Sequence, residues 1–165
     1  LKEFNEVFND KKELKKNTSE NQKFFQKLKK HTPKNLDIIM HDLHDEVFVH
    51  TDCLACANCC KTASPIITEK DIERIAKHLR MKEVQFIEKY LFRDTDDFMA
   101  FKQTPCPFLD AENYCLIYEY RPKACADYPH TNRRKFIQIA DLTVRNAEIC
   151  PAVFEIVEKL KEKKF

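Results

Sequence analysis

Glycine is absent from this 165-residue chain, and so is tryptophan. The missing glycine excludes the glycine-rich loops that cradle phosphates, both the dinucleotide fingerprint and the phosphate loop. It also leaves no residue free of a Cβ for the left-handed region, so such positions are expected to fall to Asn, Asp or His. Long apolar runs are missing too. No window of about 18 apolar residues exists, and no transmembrane segment is predicted. Neither sign of charge dominates: Lys and Arg number 29 against 27 Asp and Glu, a net +2. That balance argues against a nucleic-acid partner. The chain opens LKEFNEVF, with neither an initiator Met nor a secretory signal, so further residues are expected ahead of it. With no export signal a cytoplasmic, reducing setting is expected, where cysteine-rich chains bind metals more often than they form disulfides.

Cysteine is what the chain has in quantity. Four of its eight cysteines, Cys53, Cys56, Cys59 and Cys60, stand in the run CLACANCC, and the others are Cys106, Cys115, Cys125 and Cys150. A pair of cysteines two residues apart can bind one metal, because the turn between them brings both sulfurs to tetrahedral spacing. Here the register repeats as Cys53-x-x-Cys56-x-x-Cys59. Bacterial cluster-binding segments use the same register for three corners of an iron–sulfur cube. Cys106 and Cys150 each precede Pro, as the last ligand of such segments often does. Adjacent Cys59 and Cys60 cannot easily serve one small ion, so they are expected to serve different metals or to bridge two. Two four-cysteine zinc sites sharing the 53–60 segment, or one iron–sulfur cube with four thiols left over, both satisfy the count. Ionising all eight thiols around two divalent ions would turn the net charge negative. Disulfides are the competing use of the eight thiols, and for Cys150 simple packing as a small hydrophobe competes as well.

Around the cysteines the pattern is mainly helical. Residues 1–31 form a basic helical N-terminal arm, with apolar Leu1, Phe4, Phe8, Phe24, Phe25 and Leu28; residues 32–165 form the cysteine-cluster domain. Thr32 and Pro33 read as a helix start, followed by Leu36, Ile39, Met40, Leu43 and Val47 at helical spacing. Val47 to Val49 reads alternatively as a short strand. Thr68 reads as a cap, with Asp71 in the first turn of a helix carrying Ile72, Ile75, Ala76 and Leu79. A further helix is expected from Glu83 to Phe92, and a polar turn from Arg93 to Asp97. Loops and short strands are expected from Phe98 to Tyr120, where Pro105 and Pro107 interrupt the pattern. A closing helix should run from about Ala152 to Lys163. There is no internal repeat. The expected fold is mainly α with irregular loops and short strands, a small single domain stapled by metal.

With CLACANCC on the page, two further stretches complete a resemblance. SPIITEKDIERIA and PCPFLDAENYCLIYEYRPKACADYP, with the cysteine run, resemble the bacterial CxxCxxCC family of zinc- or iron-chelating proteins, over roughly residues 50–130. The match rests on Cys106 to Leu109, Cys115 with Ile117-Tyr118, Arg121-Pro122 with Cys125, and Tyr128-Pro129. Members usually carry glycine after the second cysteine, and this chain has Ala57. The turn there must use ordinary dihedrals, or Asn58 must take the unusual one. A related cysteine cluster occurs in enzymes that methylate lysines of flagellin, which are larger than this chain.

The resemblance implies thiolate metal binding by zinc or iron, including an iron–sulfur cluster, in one or two centres. The candidate ligands are all eight cysteines. Phe108, Tyr118, Tyr120 and Tyr128 are candidates to cover the site, Arg121 to hydrogen-bond a thiolate, and His130 to complete a three-cysteine set. His41, His44, Asp45 and the basic run Arg133 to Lys135 read as solvated surface. No catalytic constellation stands out. The leading reading is a small metal-binding protein with an unidentified protein or small-molecule partner. The alternative is an iron–sulfur or open-coordination metal enzyme with redox or cofactor-dependent activity.

Overall fold

The computed structural model describes residues 2–163, with side chains from Glu6 onward. The apolar positions Leu1 and Phe4 lie outside the described side chains. In chain order the helices are α1 (Lys2–Asn9), α2 (Lys11–Lys30), α3 (Leu36–Phe48), α4 (Cys53–Cys56), α5 (Asn58–Thr62), α6 (Glu69–His78), α7 (Glu83–Tyr90), α8 (Lys123–Ala126), α9 (Ala140–Ala147) and α10 (Pro151–Glu162). The strands are β1 (Ile66–Ile67), β2 (Leu91–Arg93) and β3 (Met99–Phe101). The expected mainly helical fold with loops and short strands is what forms. It divides into two compact units, residues 1–51 with 129–165, and residues 52–128.

The first unit is a helical bundle. Asp10 caps α2 by accepting from the Lys12 and Glu13 amides, satisfying donors left open at a helix start. α3 packs against α10, and α2 and α10 against α9. The core follows helical spacing: Phe25 and Leu28 from α2, Leu36, Met40, Leu43 and Val47 from α3, Val144 from α9, and Val153, Ile156, Val157 and Leu160 from α10. Phe136, in a short 3-10 turn, is fully buried and lies 6.1 Å from Phe25 between ring centres. α3 begins at Leu36 with Asn35 as its cap, three residues later than Thr32 and Pro33 predict. Thr32 instead donates back to the Leu28 carbonyl, finishing α2. Val47 and Phe48 stay helical, so no strand forms there.

The second unit holds a three-stranded antiparallel sheet of order β1-β3-β2, with Ile67 opposite Met99 and Leu91 opposite Phe101. α6 starts on a complete capping box between Thr68 and Asp71. Its Ile72, Ile75 and Ala76 join Phe86, Leu91, Phe101, Phe108 and Ile117 in a second core. α7 stops at Tyr90 rather than Phe92, because Leu91 turns extended and enters the sheet. The expected polar turn forms one residue shorter, over 94–97, because Arg93 pairs with Met99 in the sheet; Asp94 Oδ1 accepts from the Asp96 and Phe98 amides.

With no glycine available, six of the described residues take positive φ: Ala57, Arg80, Asp97, Asn113, His130 and Lys135. Asp97, Asn113 and His130 are of the expected types. Ala57, Arg80 and Lys135 are not, and each carries a Cβ into a region where it costs about 1 kcal/mol.

Candidate metal centre

The run CLACANCC becomes two short helices joined by a single residue. Asp52 accepts from the Leu54 and Ala55 amides at 2.9 and 3.1 Å and so starts α4, which has Cys53 and Cys56 at its ends. Ala57 then adopts φ 46°, ψ 20°. This settles the turn differently from either expectation: Ala57 itself takes the left-handed conformation, not Asn58. Its amide donates to the Cys53 carbonyl at 2.7 Å, and its carbonyl accepts from Lys61 at 3.0 Å. The chain leaves directly into α5, which carries Cys59 and Cys60.

Three further cysteines reach this unit from later loops. The Cys106 amide donates to the Cys60 carbonyl at 2.8 Å, fixing the start of the second block against α5. From Phe108 to Leu116 the chain makes a hairpin-like loop, with a Leu109–Cys115 bridge and a Leu116 amide donating to Phe108. Asp110 Oδ1 accepts from the Glu112 and Tyr114 amides, and Asn113 Nδ2 donates to the Leu54 carbonyl at 2.7 Å. That last bond ties the loop to α4. Cys125 sits on α8, whose start is held by Asp71: its Oδ1 accepts from the Lys123 amide at 3.0 Å.

Asp71 is the residue that sequence reasoning undervalued. Read there only as a first-turn acid, it is fully buried. It accepts from the Thr68 amide and hydroxyl, from Arg74 at 2.5 Å, and from Lys123. Burial alone would raise its pKa, but those donors outweigh burial and hold the carboxyl below its ordinary value. The Thr-x-x-Asp spacing signals the cap; the second task, positioning the cysteine helix α8, has no local signal.

The thiols act on one another. Sγ of Cys59 and Cys60 are 4.0 Å apart. The contact with Cys60, and then burial, push the Cys59 thiol far up, while the same contact draws Cys60 down against its own burial. Cys125 is exposed as a residue, yet burial around its sulfur, with Cys106, Cys115 and Cys59 nearby, pushes it up to about 12. Burial raises Cys53, reinforced by Cys59 and Cys56, and burial likewise raises Cys106. Cys53, Cys59, Cys106 and Cys125 therefore resist ionising unless something positive compensates their neighbours, whereas Cys60 ionises more readily.

Cys150 belongs to the helical unit. It precedes α10 and packs against that unit's core, and its amide donates to Asn146. Arg121 stacks over the Tyr118 ring at 3.9 Å and donates to the Tyr118 carbonyl; its charge also favours the Cys125 thiolate. Phe108 is buried in the second core, whereas Tyr118 and Tyr120 are exposed, so they do not seal anything. Tyr120 stacks on His78. His130 opens the return to the helical unit. His41 pairs with Asp45 at 3.2 Å, and both line a groove of about 320 Å³ with Arg133 and Arg134. His44 is half-buried, bonded to Thr131 Oγ1 at 2.7 Å and stacked on Phe48; burial lowers its pKa.

A helical fold with short strands and seven cysteines gathered in one unit defines a cysteine-cluster domain. The chain belongs to the CxxCxxCC family, described as a putative zinc- or iron-chelating domain, which matches residues 52–151. No curated protein and no solved structure matches the chain. The family implies a metal, and thiolates are the donors that zinc, copper(I) and iron–sulfur centres select. The donor chemistry therefore fits. The spacing is not closed: among the described residues, no group of three or more His, Cys, Asp or Glu is arranged to hold an ion. None of the eight cysteines is in a disulfide. Among the described residues, no helix is long and apolar enough to cross a membrane.

Proposed function

We propose that residues 52–128 are a thiolate metal-binding unit for zinc or iron, working in the cytoplasm, with the metal largely structural. The observation that carries this reading is that Cys53, Cys56, Cys59, Cys60, Cys106, Cys115 and Cys125 all fall in one compact unit, where burial, with neighbouring thiols behind it, raises the pKa values of Cys53, Cys106 and Cys125. Thiols held protonated in this way release their protons when a cation enters. Cys60, Cys106, Cys115 and Cys125 supply one four-thiolate set. Cys53, Cys56 and Cys59 supply a second with three donors and a fourth corner for an outside ligand. A bound ion would be held by thiolates from both segments, 53–60 and 106–125.

The three-donor set also supports the second reading, an iron–sulfur or open-coordination enzyme, because its register is that of three corners of a cube. Metal content and acid-labile sulfide, measured on protein purified without oxygen, decide between them. Zinc without sulfide upholds the structural reading. Iron with equimolar sulfide moves the function to cofactor chemistry. Protein with neither metal, and unable to take up either, overturns both.

A further inference from the structure

We propose that Cys59 and Cys60 form a peroxide-sensitive pair whose oxidation to an adjacent-residue disulfide dismantles the thiolate site. The oxidation itself stands on geometry alone; its consequence rests on the metal-binding reading above. The two sulfurs are already in contact at 4.0 Å. Both residues are only half-buried, so a small oxidant reaches them. They sit in α5, a helix of 5 residues with no buried member, so little packing opposes a change of backbone there.

The chemistry balances with a hydroperoxide as the oxidant. One thiol attacks a peroxide oxygen, the O–O bond breaks, and a sulfenic acid and water form. The second thiol attacks that sulfur, the S–O bond breaks, and a second water leaves with the new S–S bond in place. A trans peptide holds neighbouring Cα atoms about 3.8 Å apart, below the usual disulfide range. The peptide between the two residues must therefore rotate out of its helical setting. One hydrogen bond is made by that peptide itself: Ala63 donates to the Cys59 carbonyl at 3.0 Å. The new S–S bond also takes two thiolate donors out of the site, at the residue whose carbonyl accepts from the Cys106 amide at 2.8 Å and at its neighbour. A disulfide strained in this way is readily reversed by a small thiol, which suits a switch.

The test treats the full chain, reduced and metal-free, with one equivalent of hydrogen peroxide, alkylates the remaining thiols, and maps them by tandem mass spectrometry. The expected product has lost two hydrogens, with Cys53 and Cys56 alkylated and Cys59 and Cys60 both blocked. Cys53→Ser should leave this product unchanged, and Cys60→Ser should abolish it. A first product in which Cys53 and Cys56 are the blocked pair overturns the proposal, as does stable sulfenic or sulfinic acid without a disulfide. The same treatment of zinc-loaded protein should release zinc, and a small thiol should restore uptake. Formation of the 59–60 disulfide with zinc retained refutes the proposed dismantling. Protein that takes up no metal refutes the chelation reading, while the alkylation map still decides the pair.

Discussion

The two units of this protein reach order by different means. The helical unit buries complete side-chain stripes: four positions of α3 and five of α10 lie in its core. Each of the larger side chains, all but Ala152, contributes roughly 1.5–3 kcal/mol on burial. The cysteine unit has strands of two or three residues and three helices, α4, α5 and α8, with no buried residue at all. α4 is held by two amide bonds that Asp52 accepts and one bond that Asn113 donates, and α8 by one amide bond that Asp71 accepts. Where apolar packing is thin, side-chain caps carry the local structure, and the ion of the proposed function would add a further staple.

The sharpest way to break this contrast is to remove the metal. Chelating zinc-loaded protein should abolish hydrogen-exchange protection across residues 52–128, because structural zinc contributes on the order of 10 kcal/mol. The helices of the other unit should keep theirs. Equal loss in both units, or none in either, would erase the distinction. Cys125→Ala should lower metal stoichiometry and Cys150→Ala should not, because Cys150 packs in the helical core.

The converse prediction strikes the helical unit. Phe136→Ala removes a ring buried completely against Phe25 and should cost about 3–5 kcal/mol. Thermal denaturation reads the loss, and metal content should not change. A drop in metal stoichiometry would show that the helical core supports the thiolate site.

How far the sequence reveals these units depends on how local each determinant is. α6 is legible because Thr68 and Asp71 form the cap their spacing predicts, and α10 because Val153, Ile156, Val157 and Leu160 repeat at helical period. The gathering of seven cysteines in one unit is legible from CLACANCC and the later motif. The sheet is not: strands of two and three residues are too short to show an alternating pattern, and β1 pairs far along the chain, Ile66 with Ala100. Asp71's bond to Lys123 spans 52 residues and leaves no trace in local spacing. Nor does composition say that Ala57, Arg80 and Lys135 take positive φ: the first two do so at helix ends closed by backbone bonds, and Lys135 where its amide donates to Asp37.

Asp71 gives a third, intermediate effect. Asp71→Asn removes the charge that its four donors stabilise and should cost about 2 kcal/mol. The pH dependence follows from its lowered folded pKa. Its contribution is complete above the ordinary carboxylate value of 3.8 and disappears as pH falls through the lower folded value. Acid titration of the wild type should therefore show a loss below that pH which the Asn variant lacks. Coincident acid limbs in the two proteins would mean that the carboxylate's charge is not what holds α8.

The smallest effect is the most local one, and it runs in the stabilising direction. Ala57 stands at φ 46° between two cysteine helices, where its Cβ crowds the following carbonyl. Glycine has no Cβ to crowd, but it also widens the unfolded ensemble and so returns part of the gain. The net expectation for Ala57→Gly is a stabilisation of up to about 1 kcal/mol, confined to residues 52–128. Because the change alters no sulfur donor and relaxes the turn between Cys56 and Cys59, metal affinity should rise slightly or stay level. Hydrogen exchange of the Ala63 and Lys61 amides, which bond across α5 to Cys59 and residue 57, reads the effect directly. Faster exchange in the variant would mean that the methyl group packs to advantage, in keeping with its 6% exposure, and that this chain turned the missing glycine into a contact.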